Sequence, residues 1–257
     1  MKTILRYAVG TIILCSSVSG QTVTANPDQV KADVYRLMDT HIGIEQRVPK
    51  GWSISAKGVT ADMGPDGRPI MQVHIFINGA PEGTIFEQQV IPVGDDKPTS
   101  AMQGITAGKD GILMCAGRIA EQCSGNGPDD PVEFTMQPYK GEPFRFLFGS
   151  DKGTIGTVIV PYPVAGKDHS CTLSAVRLTP MFELALITAT GVPPSAEIHY
   201  TSTGSSNPQT IKSDSRGVAR FSLIPHPDHP GQASGTMKIK LQESVCSPEI
   251  TYNWGKL

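Results

Sequence analysis

The chain is poor in charged and aromatic residues. Of its 257 residues, 22 are Lys or Arg, 24 are Asp or Glu, and 6% are aromatic. Because the two signs of charge nearly cancel, there is no basic field to attract a polyanion, and we expect no nucleic-acid partner. The scarcity of aromatic rings also weakens the case for a cleft that stacks sugar rings.

Catalytic sequence motifs are missing as well. The chain has no G-x-S-x-G nucleophile elbow, since "GSDKG" at residues 149–153 carries its serine one position early. It also has no H-E-x-x-H zinc motif and no glycine-rich phosphate loop. We therefore expect a protein that is not an enzyme and that carries no cofactor.

Long apolar runs are the third absence. No segment approaches the roughly 20 apolar residues that a membrane-spanning helix needs. The apolar run at residues 7–15 is short, follows Lys2 and Arg6, and precedes small residues, which is typical of a secretory signal. We predict a signal peptide at residues 1–25, no transmembrane segment in the mature chain, and export to the periplasm, cell surface or medium.

A lipoprotein signal is the alternative interpretation of this N-terminus. Cys15 would then be the lipid-bearing residue. Leu14 stands against this alternative, because lipoprotein signals resemble one another in carrying a small residue at that position.

Cysteines are few but even in number once the signal is removed. Those that remain are Cys115, Cys123, Cys171 and Cys246. In an oxidising compartment such a set predicts two disulfides, for which three pairings exist. Proximity in sequence favours Cys115 with Cys123, and Cys171 with Cys246. A zinc or redox site would need tighter pairs of the C-x-x-C type.

The segment at residues 26–48 predicts an amphipathic helix and a linker. In "NPDQVKADVYRLMDTHIG" apolar residues recur at helical spacing, with Pro27 in the first turn and Gly43 as a stop. This helix either packs on the domain that follows or docks on a partner, which would make the protein an accessory module of a larger envelope complex.

Residues 49–163 predict a first β-sandwich domain. Apolar and polar residues alternate in "IMQVHIFING", and further short apolar runs are separated by turn-rich segments such as "VGDDKPTS" and "CSGNGPDDP". In "EPFRFLFGS" the side chains of Phe144, Phe146 and Phe148 share one strand face, which we expect to face the core.

Residues 164–257 predict a second β-sandwich domain, after "PYPVAGKDHS" at residues 161–170, which we interpret as a hinge. The predicted strands are residues 171–178, 183–190, 196–202, 208–212, 217–224, 235–242 and 248–254. Short strands with turns at this regular spacing are typical of an immunoglobulin-like sandwich. The expected fold class is thus all-β with two tandem sandwiches. A single continuous sheet system is the alternative.

A faint internal repeat accompanies these strands. "ISAKGV", "QVHIF" and "GKDGILMC" run parallel to "ITATGV", "AEIHYTS" and "SDSRGVARFS". The repeat allows a duplication of one sandwich, although the spacing differs between the two copies.

The second half resembles a known group. "GVPPSAEIHYTS", "SDSRGVARFSL" and the closing strand "CSPEITYNWG" are similar to the immunoglobulin-like repeats of secreted bacterial proteins. In layout the chain resembles uncharacterised secreted bacterial proteins with two such modules. The resemblance covers the second domain well and the first poorly. It implies an envelope or secreted location and no known activity or catalytic residue.

One loop carries residues that metals accept. "HPDHP" places His226, Asp228 and His229 together, with His199 as a possible third nitrogen, and zinc or copper binds such a mixture. The interspersed prolines instead favour a stiff loop whose side chains splay apart. The acidic turn with Asp129 and Asp130 is a weaker candidate for a calcium site, because it lacks the spacing of a calcium loop.

The sequence as a whole favours a non-enzymatic exported protein of the bacterial envelope or secretome. We expect such a protein to bind a protein or glycan of the cell envelope through loops or edge strands. The alternative is a small extracellular metal-binding protein or hydrolase that uses the loop of His226, Asp228 and His229.

Overall fold

The all-β prediction is confirmed. The computed structural model describes residues 47–92, 100–115, 130–205, 207–225 and 232–255. Regular structure in these ranges consists of β-strands and one 3₁₀ turn at Lys109–Gly111, and no helix there is long and apolar enough to cross a membrane. The predicted signal peptide, and residues 26–46 of the predicted helix and linker, lie outside the described residues.

The first half of the described chain forms two antiparallel sheets. Its strands are β1 (Ser53–Met63), β2 (Pro69–Asn78), β3 (Ile85–Pro92), β4 (Ser100–Ala107), β5 (Leu113–Cys115), β6 (Phe134–Met136), β7 (Phe144–Ser150) and β8 (Gly153–Ile159). One sheet has the order β1-β2-β6 and the other the order β5-β4-β3-β7-β8. We call these two sheets the first sheet pair.

Both sheets of the first pair bury one face in a common apolar cluster. Alternation along β2 sends Val73, Ile75 and Ile77 into this cluster, as the sequence pattern predicts. The aromatic face of β7 is buried there as well, and the rings of Phe134 and Phe146 meet edge to face at 5.2 Å. Burying each side chain of this size stabilises the fold by about 1.5–3 kcal/mol, so this cluster holds the two sheets together.

The sequence pattern does not predict strand β4, because a bulge interrupts the alternation of its side chains between the two faces of the sheet. Its register against β3 shifts between Phe86 and Glu87, which pair with Ile105 and Gln103 and leave Gly104 between them. Gly104 has φ +75°, a conformation that glycine adopts without the steric cost of a side chain.

The second half also forms two antiparallel sheets. Its strands are β9 (Val164–Asp168), β10 (Cys171–Arg177), β11 (Ala185–Thr190), β12 (Glu197–Ser202), β13 (Gln209–Lys212), β14 (Val218–Leu223), β15 (Gly235–Leu241) and β16 (Glu249–Trp254). The sheet orders are β14-β11-β10-β9 and β13-β12-β15-β16. We call these sheets the second sheet pair. They share one buried cluster, whose members include Ile187, Ile198 and Ile239.

The predicted hinge at residues 161–170 is wrong in its second half. Val164–Asp168 forms strand β9, which pairs with β10 from Val164↔Ala175 to Cys171↔Asp168. Gly166 also lies directly against the backbone carbonyl of Glu249 in β16. Hydrogen bonds to β10 and close packing on β16 therefore order a segment whose own composition is that of a turn.

The predicted disulfide between Cys171 and Cys246 is confirmed. It joins the first residue of β10 to the loop before β16, across 75 positions of sequence. Both cysteines are buried. Closing so long a loop restricts the unfolded chain, which stabilises the second sheet pair.

Candidate functional site

An open groove lies at one end of the first sheet pair. It separates the loop between β2 and β3 from the tight turn between β7 and β8, and its volume is about 700 Å³. The two loops are neighbours because β3 and β7 pair directly, with Glu87 opposite Gly149. The residues that line the groove are Pro81, Glu82, Gly83, Thr84, Ile85, Glu87, Gly149, Ser150, Asp151 and Lys152.

Gly149 is what leaves the middle of the groove empty. A Cβ atom built on this residue would meet no atom within 4 Å, apart from its chain neighbours. Its backbone is ordinary extended strand, so the fold itself does not demand glycine here. The missing side chain thus opens space beside Glu87 on the outer face of the sheet.

The walls of the groove are held by local hydrogen bonds. Thr84 donates its hydroxyl to the carbonyl of Pro81 at 2.6 Å, and the Gly83 amide donates to Ala107 at 2.7 Å. On the other wall the hydroxyl of Ser150 donates to the carbonyl of Gly153 at 3.1 Å. Hydrogen bonds within the protein therefore hold both loops in a defined shape.

The lining of the groove is rich in charged side chains. It contains three carboxylates, from Glu82, Glu87 and Asp151, and one ammonium, from Lys152. Ile85 adds an apolar contact, since 63% of its surface is exposed. None of the lining residues is a histidine or a cysteine, and the hydroxyl groups of Thr84 and Ser150 are engaged in hydrogen bonds within their own loops.

A second, smaller cavity lies in the second sheet pair. Its volume is about 340 Å³, and hydroxyl-bearing residues of the loop after β12 line it together with Ile224. Tyr200 closes its base by donating a hydrogen bond to the side chain of Gln209. Burial raises the pKa of Tyr200 to about 12, so this phenol stays protonated near neutral pH and acts as a donor.

The predicted metal loop, with His226, Asp228 and His229, lies outside the described residues. The described ranges contain no group of three or more His, Cys, Asp or Glu side chains placed to hold a metal ion. The proposed third ligand, His199, lies beside Glu243 at 3.5 Å between Nδ1 and Oε1. Because the loop itself is not described, the metal site stays a prediction.

The other predicted site residues have mixed outcomes. Cys115 is buried at the end of β5, but Cys123 lies outside the described residues, so their pairing stays a prediction. Asp129, one of the two weak calcium candidates, also lies outside them. Asp130 is exposed, and its backbone carbonyl accepts a hydrogen bond from the Cys115 amide.

The groove itself was not predicted from the sequence. The glycines and the charged tip of the turn at residues 149–153 are typical of a binding loop, but such a composition occurs in many surface turns. Nothing in the sequence shows that this turn meets the loop at residues 79–84, since that contact depends on the pairing of β3 with β7.

No protein-family model matches the chain, and no curated protein matches it with significant similarity. The function is therefore inferred from the geometry described above.

Proposed function

We propose that this chain is an exported, non-enzymatic binding protein made of two immunoglobulin-like β-sandwich modules. It binds a protein of the bacterial cell envelope through the groove between the β2–β3 loop and the β7–β8 turn. The observation that carries this proposal is the preformed groove, whose lining offers charged side chains and one exposed apolar side chain. Export rests on the N-terminal sequence, and the buried disulfide is compatible with it.

The strand orders support the immunoglobulin-like assignment. In that fold the first, second and fifth strands share a sheet, and the third, sixth and seventh form the other. The second sheet pair follows this rule with β10, β11 and β14 in one sheet and β12, β15 and β16 in the other. The remaining strands, β13 and β9, extend these two sheets at their edges.

The first sheet pair repeats the same connectivity. It has β1, β2 and β6 in one sheet and β3, β7 and β8 in the other, with β4 and β5 added beside β3. Two sheet pairs with one connectivity are what a duplicated module would leave. The groove then lies between the second-to-third and sixth-to-seventh strand loops, where variable immunoglobulin domains carry binding loops.

The lining favours a protein partner with positive charge. With three carboxylates and one ammonium the groove attracts basic groups, which steers encounter and selects partners. A glycan is less well matched, because the groove offers no aromatic ring on which a sugar would pack. A lysine or arginine beside an apolar residue fits the carboxylates and Ile85 together.

Filling the groove tests this function. The variant Gly149→Trp places a large ring in empty space, and Gly58→Trp is the matched control in strand β1 of the opposite sheet, where a Cβ meets nothing closer than 4.0 Å. Binding to envelope proteins and to cell-wall polysaccharides is measured by biolayer interferometry with the mature protein. We expect Gly149→Trp to weaken binding to a protein at least tenfold, with folding preserved, and Gly58→Trp to leave it unchanged.

Three results would contradict the proposal. Equal binding by both variants would remove the groove from the interaction. Binding to polysaccharide alone would replace the protein partner with a glycan. Saturable turnover of any substrate by the purified protein would overturn the non-enzymatic assignment.

A further inference from the structure

The loop between β6 and β7 carries a direct contact between the two sheet pairs. The amide of Arg177, at the end of β10, donates to the carbonyl of Gly141 at 2.8 Å. The amide of Gly141 in turn donates to the carbonyl of Tyr162 at 2.7 Å, in the segment that connects β8 to β9. Backbone hydrogen bonds thus tie this loop both to the connecting segment and to the second sheet pair.

Arg177 is buried in this contact. Only 6% of its surface is exposed, and its guanidinium lies 5.2 Å from the ring centre of Tyr139 and 5.3 Å from that of Phe182. Its side chain also donates to the carbonyl of Pro180. Burial lowers the pKa of Arg177, and the nearby charge of Glu142 partly opposes this shift. One ring belongs to the first sheet pair and the other to the second, so the guanidinium bridges them.

Phe182 is held at the same contact in a backbone conformation that bulky residues avoid. Its φ is +60°, and its side chain is 1% exposed, stacked on Tyr252 with ring centres 4.1 Å apart. Gly141 lies against this ring, because a Cβ built on Gly141 would come within 2.9 Å of the Phe182 Cζ atom. Such a conformation persists only where the surrounding packing fixes it.

The extra strand β9 determines which ends of the modules meet. It carries the chain from the contact to the far end of the second sheet pair, and β10 then returns to the contact at Arg177. The second-to-third and sixth-to-seventh loops of that pair, at residues 191–196 and 242–248, therefore lie at the far end. In the first pair the corresponding loops, which form the groove, also lie at the end away from the contact.

We infer that Arg177, Gly141 and Phe182 lock the two modules tail to tail into one rigid rod. The two sets of binding-type loops then face outward at opposite ends, held at a fixed separation. This inference goes beyond the proposed function, since it does not depend on what the groove binds. Seven-residue strands span about 23 Å each, so labels at the two ends are expected on the order of 50 Å apart.

Distance measurement between the two ends tests the rod. Spin labels are attached to a non-canonical amino acid at Lys152, in the groove turn, and at Ser244, in the exposed far loop. Pulsed electron–electron double resonance on the full mature chain is expected to give a single narrow distribution of distances between the two labels. A broad distance distribution, or one with several maxima, in the labelled protein with Arg177, Gly141 and Phe182 unchanged would overturn the inference.

Variants of the contact separate locking from general stability. Gly141→Ala drives a methyl group into Phe182, whereas Gly67→Ala is the matched control, with nearly the same φ (+77° against +78°) and no atom within 4 Å. We expect Gly141→Ala to widen the distance distribution at least twofold and Gly67→Ala to leave its width unchanged. Arg177→Met keeps the aliphatic volume without the guanidinium, and we expect the same widening from this milder variant. Equal widths for all four proteins would contradict the inference.

Discussion

Removing the disulfide between Cys171 and Cys246 is expected to destabilise the second sheet pair strongly. The two residues are 75 positions apart. For a loop of that length the chain-entropy model gives about 15 cal/mol/K, or about 4.5 kcal/mol at 25 °C. The double variant Cys171→Ala/Cys246→Ala should therefore lose about 4–5 kcal/mol. The smaller alanine side chains leave a cavity in this buried site, so they do not offset the lost loop constraint.

Urea denaturation measures this loss. With a slope of about 2 kcal/mol/M, the midpoint of the transition that reports on the second sheet pair should fall by about 2 M. Trp254 lies buried in that pair and provides the fluorescence signal. Ser244→Ala, in the same loop as Cys246 but exposed, is the control and should change the stability by less than about 0.5 kcal/mol. A loss below about 1 kcal/mol in the double variant would refute the loop-entropy argument.

Three further predictions concern the core, β9 and acid stability. Phe146→Ala should cost about 3–5 kcal/mol by calorimetry, since the ring is fully buried between both sheets of the first pair, and a loss below about 1 kcal/mol would contradict that placement. Gly166→Ala should lower the melting temperature markedly, because a methyl group would strike the backbone of Glu249, whereas Gly58→Ala in β1 should not; equal melting temperatures would place β9 elsewhere. Hydrogen bonds from backbone amides of the following turn lower the pKa of Asp214, so its contribution to stability is present above its unfolded pKa of about 3.9 and is lost as the pH falls. Melting temperatures between about pH 2 and pH 6 should thus fall more steeply for the parent protein than for Asp214→Asn, and parallel curves would contradict this.

Much of the second sheet pair was predictable from its sequence. Predicted strands at residues 217–224, 235–242 and 248–254 match β14, β15 and β16 to within one residue at each end. These strands alternate cleanly between apolar and polar residues, and glycines or prolines bound them. Where local pattern and burial agree, the sequence is sufficient to place a strand.

The strands that were missed depend on contacts distant in sequence. β9 has a glycine in its middle and is ordered by β10 and β16, and β4 contains the bulge at Gly104. The groove was missed for the same reason, because it exists only once β3 pairs with β7. Tertiary pairing, which no short window of sequence contains, decides all three.

The internal repeat in the sequence also does not follow the connectivity. "ISAKGV" lies in β1, the first strand of its sheet pair, but its counterpart "ITATGV" begins in β11, which corresponds to β2. The similar sequence segments therefore reflect a shared strand-and-turn pattern rather than equivalent positions in the two sheet pairs. The duplication proposed above rests on strand order alone.

The long disulfide loop also has a mechanical consequence. When the chain is pulled at its two ends, the covalent bond between Cys171 and Cys246 carries the tension past the 75 positions that it encloses. Those residues would otherwise release about 250 Å of extended chain. Under load the second sheet pair can therefore lengthen only through residues outside the loop, chiefly β9 and β16, while most of its strands remain shielded from the force.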